Sequence, residues 1–295
     1  MNAADDPGWI DPVGGNGDTL MLSGVLKHVH EHRPLQRLHL VERTGYRTIL
    51  RGHPAIAAIG DPPPGAKLIR TTYWDTEPLG PGPQRAFQIL ARMFGLPTPI
   101  AETLYLPGAL PNVDGWRATL PRASCKVAIA PASASPRKEL PRPWWEQLVA
   151  ALRERGVFVA QLGGARDFYV RGSYSLLGLT TVREAIAMLR LFDLVITSDS
   201  FVMHAAHLTG SPAIVLWGPT DHRVYGYEGQ VHLQAAPCDE LETRCIGPGR
   251  AQYYGTPCHR AHEHCMTSIT VEQVVAKTFE RLAQRRPPAD NEENR

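Results

Sequence analysis

Four short stretches of this 295-residue chain hold residue types able to grip an anion and to move a proton. The richest is "SDSFVMHAAHLTGSPAIVLWGPTD", residues 198–221, where Ser198, Asp199 and Ser200 follow the apolar run "DLVIT". His204 comes one helical turn after Ser200, so both side chains can face one ligand, and His207 can stay near that face. A helix beginning at these serines presents unpaired N–H groups and the positive end of its dipole to an anion. The plainer account is an aspartate cap and a core histidine. Two serines, an aspartate and a histidine converging at one strand end weigh against it. The turn that closes the stretch, with Gly218 and Pro219, can line a nucleotide pocket.

"PASASPRKELPRPWW" sets Arg137, Lys138 and Arg142 after another strand-like run. Small residues and cations ahead of a helix suit a diphosphate, and a solvated turn is the alternative. "GGNGD", residues 14–18, precedes a helical pattern. Gly15, Asn16 and Gly17 let the backbone approach a phosphate or sugar closely, and Asp18 falls at or just inside the helix start. Helix capping explains Asp18 equally well. The pattern is not GxGxxG and gives no support for a dinucleotide fingerprint. In "LGGARD", Gly163 and Gly164 open a loop where Asp167 can accept from a ribose hydroxyl or cap its own turn.

These stretches need elements to position them. The spacing predicts a short strand near Trp9–Val13 and a helix over "TLMLSGVLKHVHEH". A strand at "LQRLHLVE", a second helix over "TGYRTILRGHPAI" stopping before Pro54, and a strand end at "AIAAIG" follow. Residues 61–84, rich in Pro and Gly, read as loop, "PQRAFQILARMFGLP" as helix, and 98–122 as a strand and connector. A second alternating series begins at "KVAIAPASAS" and "PWWEQLVAALRERG". It continues through "VFVAQLGG", "TVREAIAMLRLF" capped by Thr180 or Thr181, "DLVITSD", "SFVMHAAHLTG" and "PAIVLWG", and closes on "TVEQVVAKTFERLAQRR". Two β/α series in one chain predict two Rossmann-like domains, 1–122 and 123–285, with 286–295 as a disordered tail. In such sheets ligands sit beyond the carboxyl ends of the strands, where all four stretches fall.

Composition narrows the class. Apolar residues make up 43 %, enough for two cores, and the net charge is only +2. Without clustered basic charge a nucleic-acid partner is not expected. The N-terminus "MNAADDPGWIDP" lacks the charge and apolar run of a signal peptide, and no apolar stretch is long enough to span a bilayer. A cytoplasmic protein is expected, with peripheral membrane contact left open. Cys238, Cys245, Cys258 and Cys265 stand as C-x6-C-x12-C-x6-C, with His259, His262 and His264 between them. Four thiolates can close a structural zinc or iron site, although the intervals are wider than a common knuckle. Reduced thiols, or two bridges formed on oxidation, are the other readings, and Cys125, at a strand start, reads as buried and inert.

Taken in order, "GGNGD", "APASASPRK…PWW", "LGG", "DLVITSDSFVMHAAHLTGSPAIVLWGPTD" and "HCMTSITVEQVV" resemble the ADP-heptose–lipopolysaccharide heptosyltransferases of glycosyltransferase family 9. The resemblance spans roughly residues 10–280 and is most specific at 193–221. It implies a GT-B α/β fold of two Rossmann-like domains facing across a cleft. It also implies inverting sugar transfer without a catalytic metal, from a nucleotide-diphosphate sugar, ADP-heptose first, to a glycan, lipid-linked or protein acceptor. On that resemblance Asp18 is the catalytic base, Lys138 holds the diphosphate, and Asp199, Ser200 and His204 bind the donor phosphates. Some relatives resembling this chain carry a cysteine-bound iron. Phe201 stands where the family carries Gly, and its ring crowds the backbone a phosphate would approach. A different donor or acceptor, or a non-catalytic nucleotide-sugar-binding module, are the alternatives.

Overall fold

The structure, a computed structural model, describes residues 8–42, 47–76, 82–237, 245–246, 255–258 and 265–284. Cys238, His259, His262, His264 and the segment 286–295 lie outside these residues. The chain forms two parallel sheets. The first is built from β1 (Gly8–Asp11), α1 (Asn16–His32), β2 (Leu38–Val41), α2 (Arg47–Leu50), β3 (Ile56–Gly60) and β4 (Leu68–Arg70), in the strand order β3-β2-β1-β4. The chain moves outward from β1 through β2 and β3. It then crosses to the other side of β1, which puts a topological switch point between β1 and β4. Two further helices, α3 (Ala86–Met93) and α4 (Asp114–Thr119), follow.

Three local expectations for this half are corrected. Among the described residues, the helix expected up to Pro54 is the four-residue α2, which ends at Leu50. Gly52 turns left-handed with φ +79°, and buried His53 is tied by Nε2 to the Ser23 carbonyl and by Nδ1 to the Ala55 N–H. The stretch read as loop contains β4, which pairs with β1 in the register Trp9↔Leu68, Ile10↔Ile69, Asp11↔Arg70. Three strand residues between Pro- and Gly-rich segments carry no periodic signal, and the pairing comes from β1. The strand expected in 98–122 is absent. Its prolines at 99, 107 and 111 remove ladder donors, and α4 occupies part of the segment.

The second sheet follows the predicted alternation closely. It comprises β5 (Lys126–Ala130), α5 (Arg142–Arg153), β6 (Phe158–Gln161), β7 (Tyr174–Ser175), α6 (Val182–Met188), β8 (Leu194–Ser198), α7 (Phe201–Thr209), β9 (Ala213–Trp217), α8 (His222–Tyr225), β10 (Val231–Gln234) and α9 (Val271–Ala283). The strand order is β10-β9-β8-β5-β6-β7, with its switch point between β5 and β8. The strands are apolar on both faces, as helices on both sides require. Val127, Ile129, Leu194, Ile196, Ile214 and Leu216 point into a core under α5 and α9. Their neighbours Ala128, Val195, Val215 and Trp217 point the other way. That second core continues through α7 into α1 and α3, so the two halves share one apolar cluster. Thr181 caps α6: its hydroxyl accepts from the Glu184 N–H while the Glu184 carboxylate accepts from the Thr181 N–H.

Candidate active site

The two switch points face each other across a cleft of about 910 Å³. On the first wall, the loop after β1 enters α1 directly. Gly14 holds φ +110°, and an added Cβ there would run into the Asp18 carboxylate. Asp18 sits in the first turn of α1. Its Oδ2 accepts the Gly15 N–H at 2.7 Å and its Oδ1 accepts the Tyr73 hydroxyl at 2.7 Å. Burial pushes its pKa up, and hydrogen bonds from Tyr73 and Gly15 with the Lys138 charge only partly offset this. The carboxylate is therefore more basic than an exposed aspartate. Tyr73 reaches Asp18 because β4 lies beside β1. The Thr71 hydroxyl caps the Val13 N–H at 2.8 Å, and the Thr71 N–H bonds the Asp11 carbonyl at 3.1 Å.

On the second wall, the ends of β5 and β8 are stitched together. The Ser198 hydroxyl donates to the Pro131 carbonyl and the Ser133 hydroxyl to the Asp199 carbonyl, each at 3.3 Å. Lys138 Nζ lies 2.8 Å from Asp199 Oδ2, and the Thr220 hydroxyl donates to that same oxygen at 2.7 Å. Burial works to raise the Asp199 pKa, but the Lys138 ammonium and the two hydrogen bonds outweigh it and hold the group below the usual range. The pair is thus ionised and aligned at the mouth of α7.

His204 is 6 % exposed and lies between the walls. Its Nδ1 is 2.7 Å from the Tyr227 hydroxyl. On the other wall it faces Gly17, where an added Cβ would come within 2.6 Å of its ring. Burial lowers its pKa to about 4 against the pull of Asp199, so the ring is neutral at pH 7. Burial likewise keeps the Tyr227 hydroxyl protonated. When that hydroxyl donates to Nδ1, the ring's proton is on Nε2.

The structure brings Gly15, Asn16, Gly17, Asp18, Lys138, Gly163, Gly164, Asp199, Ser200 and His204 onto one cleft surface. Other expected residues go elsewhere. Arg137 turns away from the cleft, its guanidinium donating to the Thr256 carbonyl at 2.9 Å and hydroxyl at 3.1 Å and lying 3.8 Å from Cys245 Sγ. Ser198 is sealed beneath the wall by its bond to Pro131. Gly218 packs against Met266, the Pro219 carbonyl takes the N–H of Ile246, which lines the cleft, and Thr220 bonds Asp199, so the turn supports the cleft through these neighbours and does not line it itself. Asp167, by contrast, stays on the cleft surface, where it also caps its own turn by accepting the Gly164 N–H at 2.8 Å. His207 stacks on Tyr227 with ring centroids 4.0 Å apart, outside the cleft.

Tyr73, Thr220 and Tyr227 were not legible as site residues. Only the aromatic pair in "TTYWD" after a short strand hints at the first. The remaining wall is apolar, formed by Leu162, Val182, Ala185 and Leu189, a surface that suits a flat ring. Phe201 lines the cleft at the first residue of α7 and also packs against the shared core.

The cysteine segment gives no metal centre among the described residues, where no three His, Cys, Asp or Glu side chains stand close enough to hold an ion. Cys245 faces a guanidinium, Cys265 lies beside Gly218, and Cys125, Cys245, Cys258 and Cys265 form no disulfide. Among the described residues no helix is long and apolar enough to cross a membrane.

Two parallel sheets whose switch points face each other across one cleft give the GT-B arrangement of two Rossmann-like halves. The chain belongs to glycosyltransferase family 9 (heptosyltransferase), whose family pattern matches residues 84–236. Among solved structures it is similar to ADP-heptose lps heptosyltransferase II of E. coli, at 14 % identity and TM-score 0.66, over 94 % of this chain and 99 % of that one. It is similar to the iron-containing dodecameric glycosyltransferase TibC of enterotoxigenic E. coli, at 17 % identity and TM-score 0.71, over 96 % of this chain and 78 % of that one. It is similar also to E. coli heptosyltransferase WaaC with ADP-2-deoxy-2-fluoro heptose, at 15 % identity and TM-score 0.58, over 92 % and 98 % of the two chains. At these identities the likeness is one of fold. No curated protein matches the chain in sequence.

Proposed function

We propose that the protein is an inverting glycosyltransferase that moves a heptose from ADP-heptose onto an acceptor hydroxyl, with Asp18 as general base. One observation carries the reading: a carboxylate of raised basicity and an aligned Lys138–Asp199 pair face each other across a single cleft. The acceptor oxygen attacks the anomeric carbon as Asp18 takes its proton, and the bond from that carbon to the diphosphate oxygen breaks with its electron pair. One displacement by one base inverts the centre. Charge grows on the leaving diphosphate, where Lys138, the N–H groups opening α7 and an Nε2 proton on His204 stabilise it. The apolar wall of Leu162, Val182, Ala185 and Leu189 would take the base of the nucleotide. Asn16, Trp74 and Tyr225 edge the side from which the acceptor would come. Family membership and the ADP-heptose analogue bound by WaaC support this donor over others. The acceptor is a hydroxyl on a glycan, a lipid-linked saccharide or a protein.

Calorimetric titration with ADP, GDP, UDP and CDP, without divalent metal, tests the donor. ADP is expected to bind, and His204→Ala to abolish the binding. A preference for another nucleotide overturns the donor, and binding of none of the four overturns the whole reading.

A further inference from the structure

Asp18 is held on both of its oxygens, and the two holds come from different parts of the chain. Gly15 lies three residues away, on the same helix start, and its N–H fixes Oδ2. Tyr73 lies 55 residues away, in a short turn after β4, and its hydroxyl donates to Oδ1 at 2.7 Å. The Tyr73 side chain is 4 % exposed and lines the cleft floor. Its ring is clamped edge-on by Trp74 at 4.9 Å and meets Tyr225 of the opposite wall at 6.4 Å. The β1–β4 pairing and the Thr71 bonds to Val13 and Asp11 fix its backbone. A hydroxyl so placed does two things. It selects one rotamer of the carboxylate, which leaves the remaining lone pairs aimed into the cleft, and it stabilises the charged form. Burial keeps the phenol protonated far above neutrality, so it acts as a constant donor.

We infer that Tyr73 is the positioning residue of the base: its hydroxyl, delivered by the β1–β4 pairing, orients the Asp18 carboxylate toward the acceptor. This rests on Asp18 being the base. Tyr73 does not itself exchange a proton with substrate.

Tyr73→Phe keeps the ring, its packing and its volume and removes only the hydroxyl. The test has two arms. In the first, the Asp18 carboxyl carbon is followed by NMR through a pH titration of 13C-aspartate-labelled protein, its signal assigned by disappearance in Asp18→Asn. Tyr73→Phe is expected to raise the titration midpoint by about one pH unit. An unchanged or lowered midpoint overturns the inference. In the second arm, ADP released from ADP-heptose with water as acceptor is measured against pH. Tyr73→Phe is expected to lower kcat roughly tenfold with KM for ADP-heptose unchanged, and to move the acid limb up by the shift seen in the titration. A raised KM with an unmoved acid limb assigns Tyr73 to donor packing and overturns the inference. If Asp18→Asn releases ADP as fast as the wild type, the base assignment itself fails. That failure is distinct, because the titration arm reads the Tyr73–Asp18 coupling without turnover.

Discussion

Lys138 and Asp199 form a 2.8 Å ion pair at the mouth of α7, and the Thr220 hydroxyl closes on the same carboxylate oxygen. The pair joins the loop after β5 to the loop after β8, across the switch point of the second sheet. Both side chains are largely out of water, so neither charge is well solvated without the other.

Removing one partner therefore damages stability as well as binding. Lys138→Met is expected to cost about 3–5 kcal/mol in urea unfolding, because Asp199 is left buried and unpaired. Lys138→Met combined with Asp199→Asn is expected to recover most of that stability, while ADP affinity stays lowered by roughly tenfold or more. Recovery of affinity in the double variant would show that Lys138 acts only on Asp199.

Acid should unfold the protein through its buried histidines. His204 and His53 each have a pKa of about 4 in the fold against 6.5 outside it. Between those values the unfolded chain binds more protons, so stability is full above 6.5 and falls as pH drops toward 4, by roughly 3 kcal/mol for each ring. Asp199, depressed in the fold, adds a further loss as pH falls below its ordinary range, and Asp18, raised in the fold, opposes it. Urea midpoints between pH 7.5 and 4.5 measure the slope, and His53→Gln should flatten it.

Gly17 is expected to tolerate no side chain. The Cβ of Gly17→Ala would meet the His204 ring at 2.6 Å, where α1 packs on α7. Moving either helix disturbs the shared core, so a loss of about 1–3 kcal/mol is expected, together with a fall in ADP affinity. Thermal unfolding and calorimetry on the same sample check both.

Phe201 couples packing to the cleft. Phe201→Gly removes half-buried apolar surface from the core and should cost roughly 2 kcal/mol. It also opens the backbone at the first turn of α7, and ADP should bind about threefold tighter. Unchanged affinity would place the ring beside the phosphates rather than over them.

Much of the site was present in local sequence. Strand runs such as "KVAIA" and "DLVIT" are apolar on both faces and lead into loops of small and polar residues. Their carboxyl ends, and Lys138, Asp199 and His204 with them, could be placed before any fold was known. The glycines before Asp18 singled out its loop, but spacing read the aspartate first as a helix cap, and the role of base came from the family resemblance. These signals survive because they depend on neighbours within a few residues: side-chain period, caps and chain breakers. The three-residue β4 has no such signal, and it delivers Tyr73 to Asp18 only by pairing with β1. Thr220 and Tyr227 are likewise set against Asp199 and His204 by partners 21 and 23 residues away. Arg137 marks the opposite case. It stands next to Lys138 in sequence, yet its long side chain finds the Thr256 carbonyl and turns away from the cleft. Which residues end a strand is a local property. Where a long side chain finds its partner, and what surrounds a carboxylate closely enough to set its charge, is fixed only when distant segments pack.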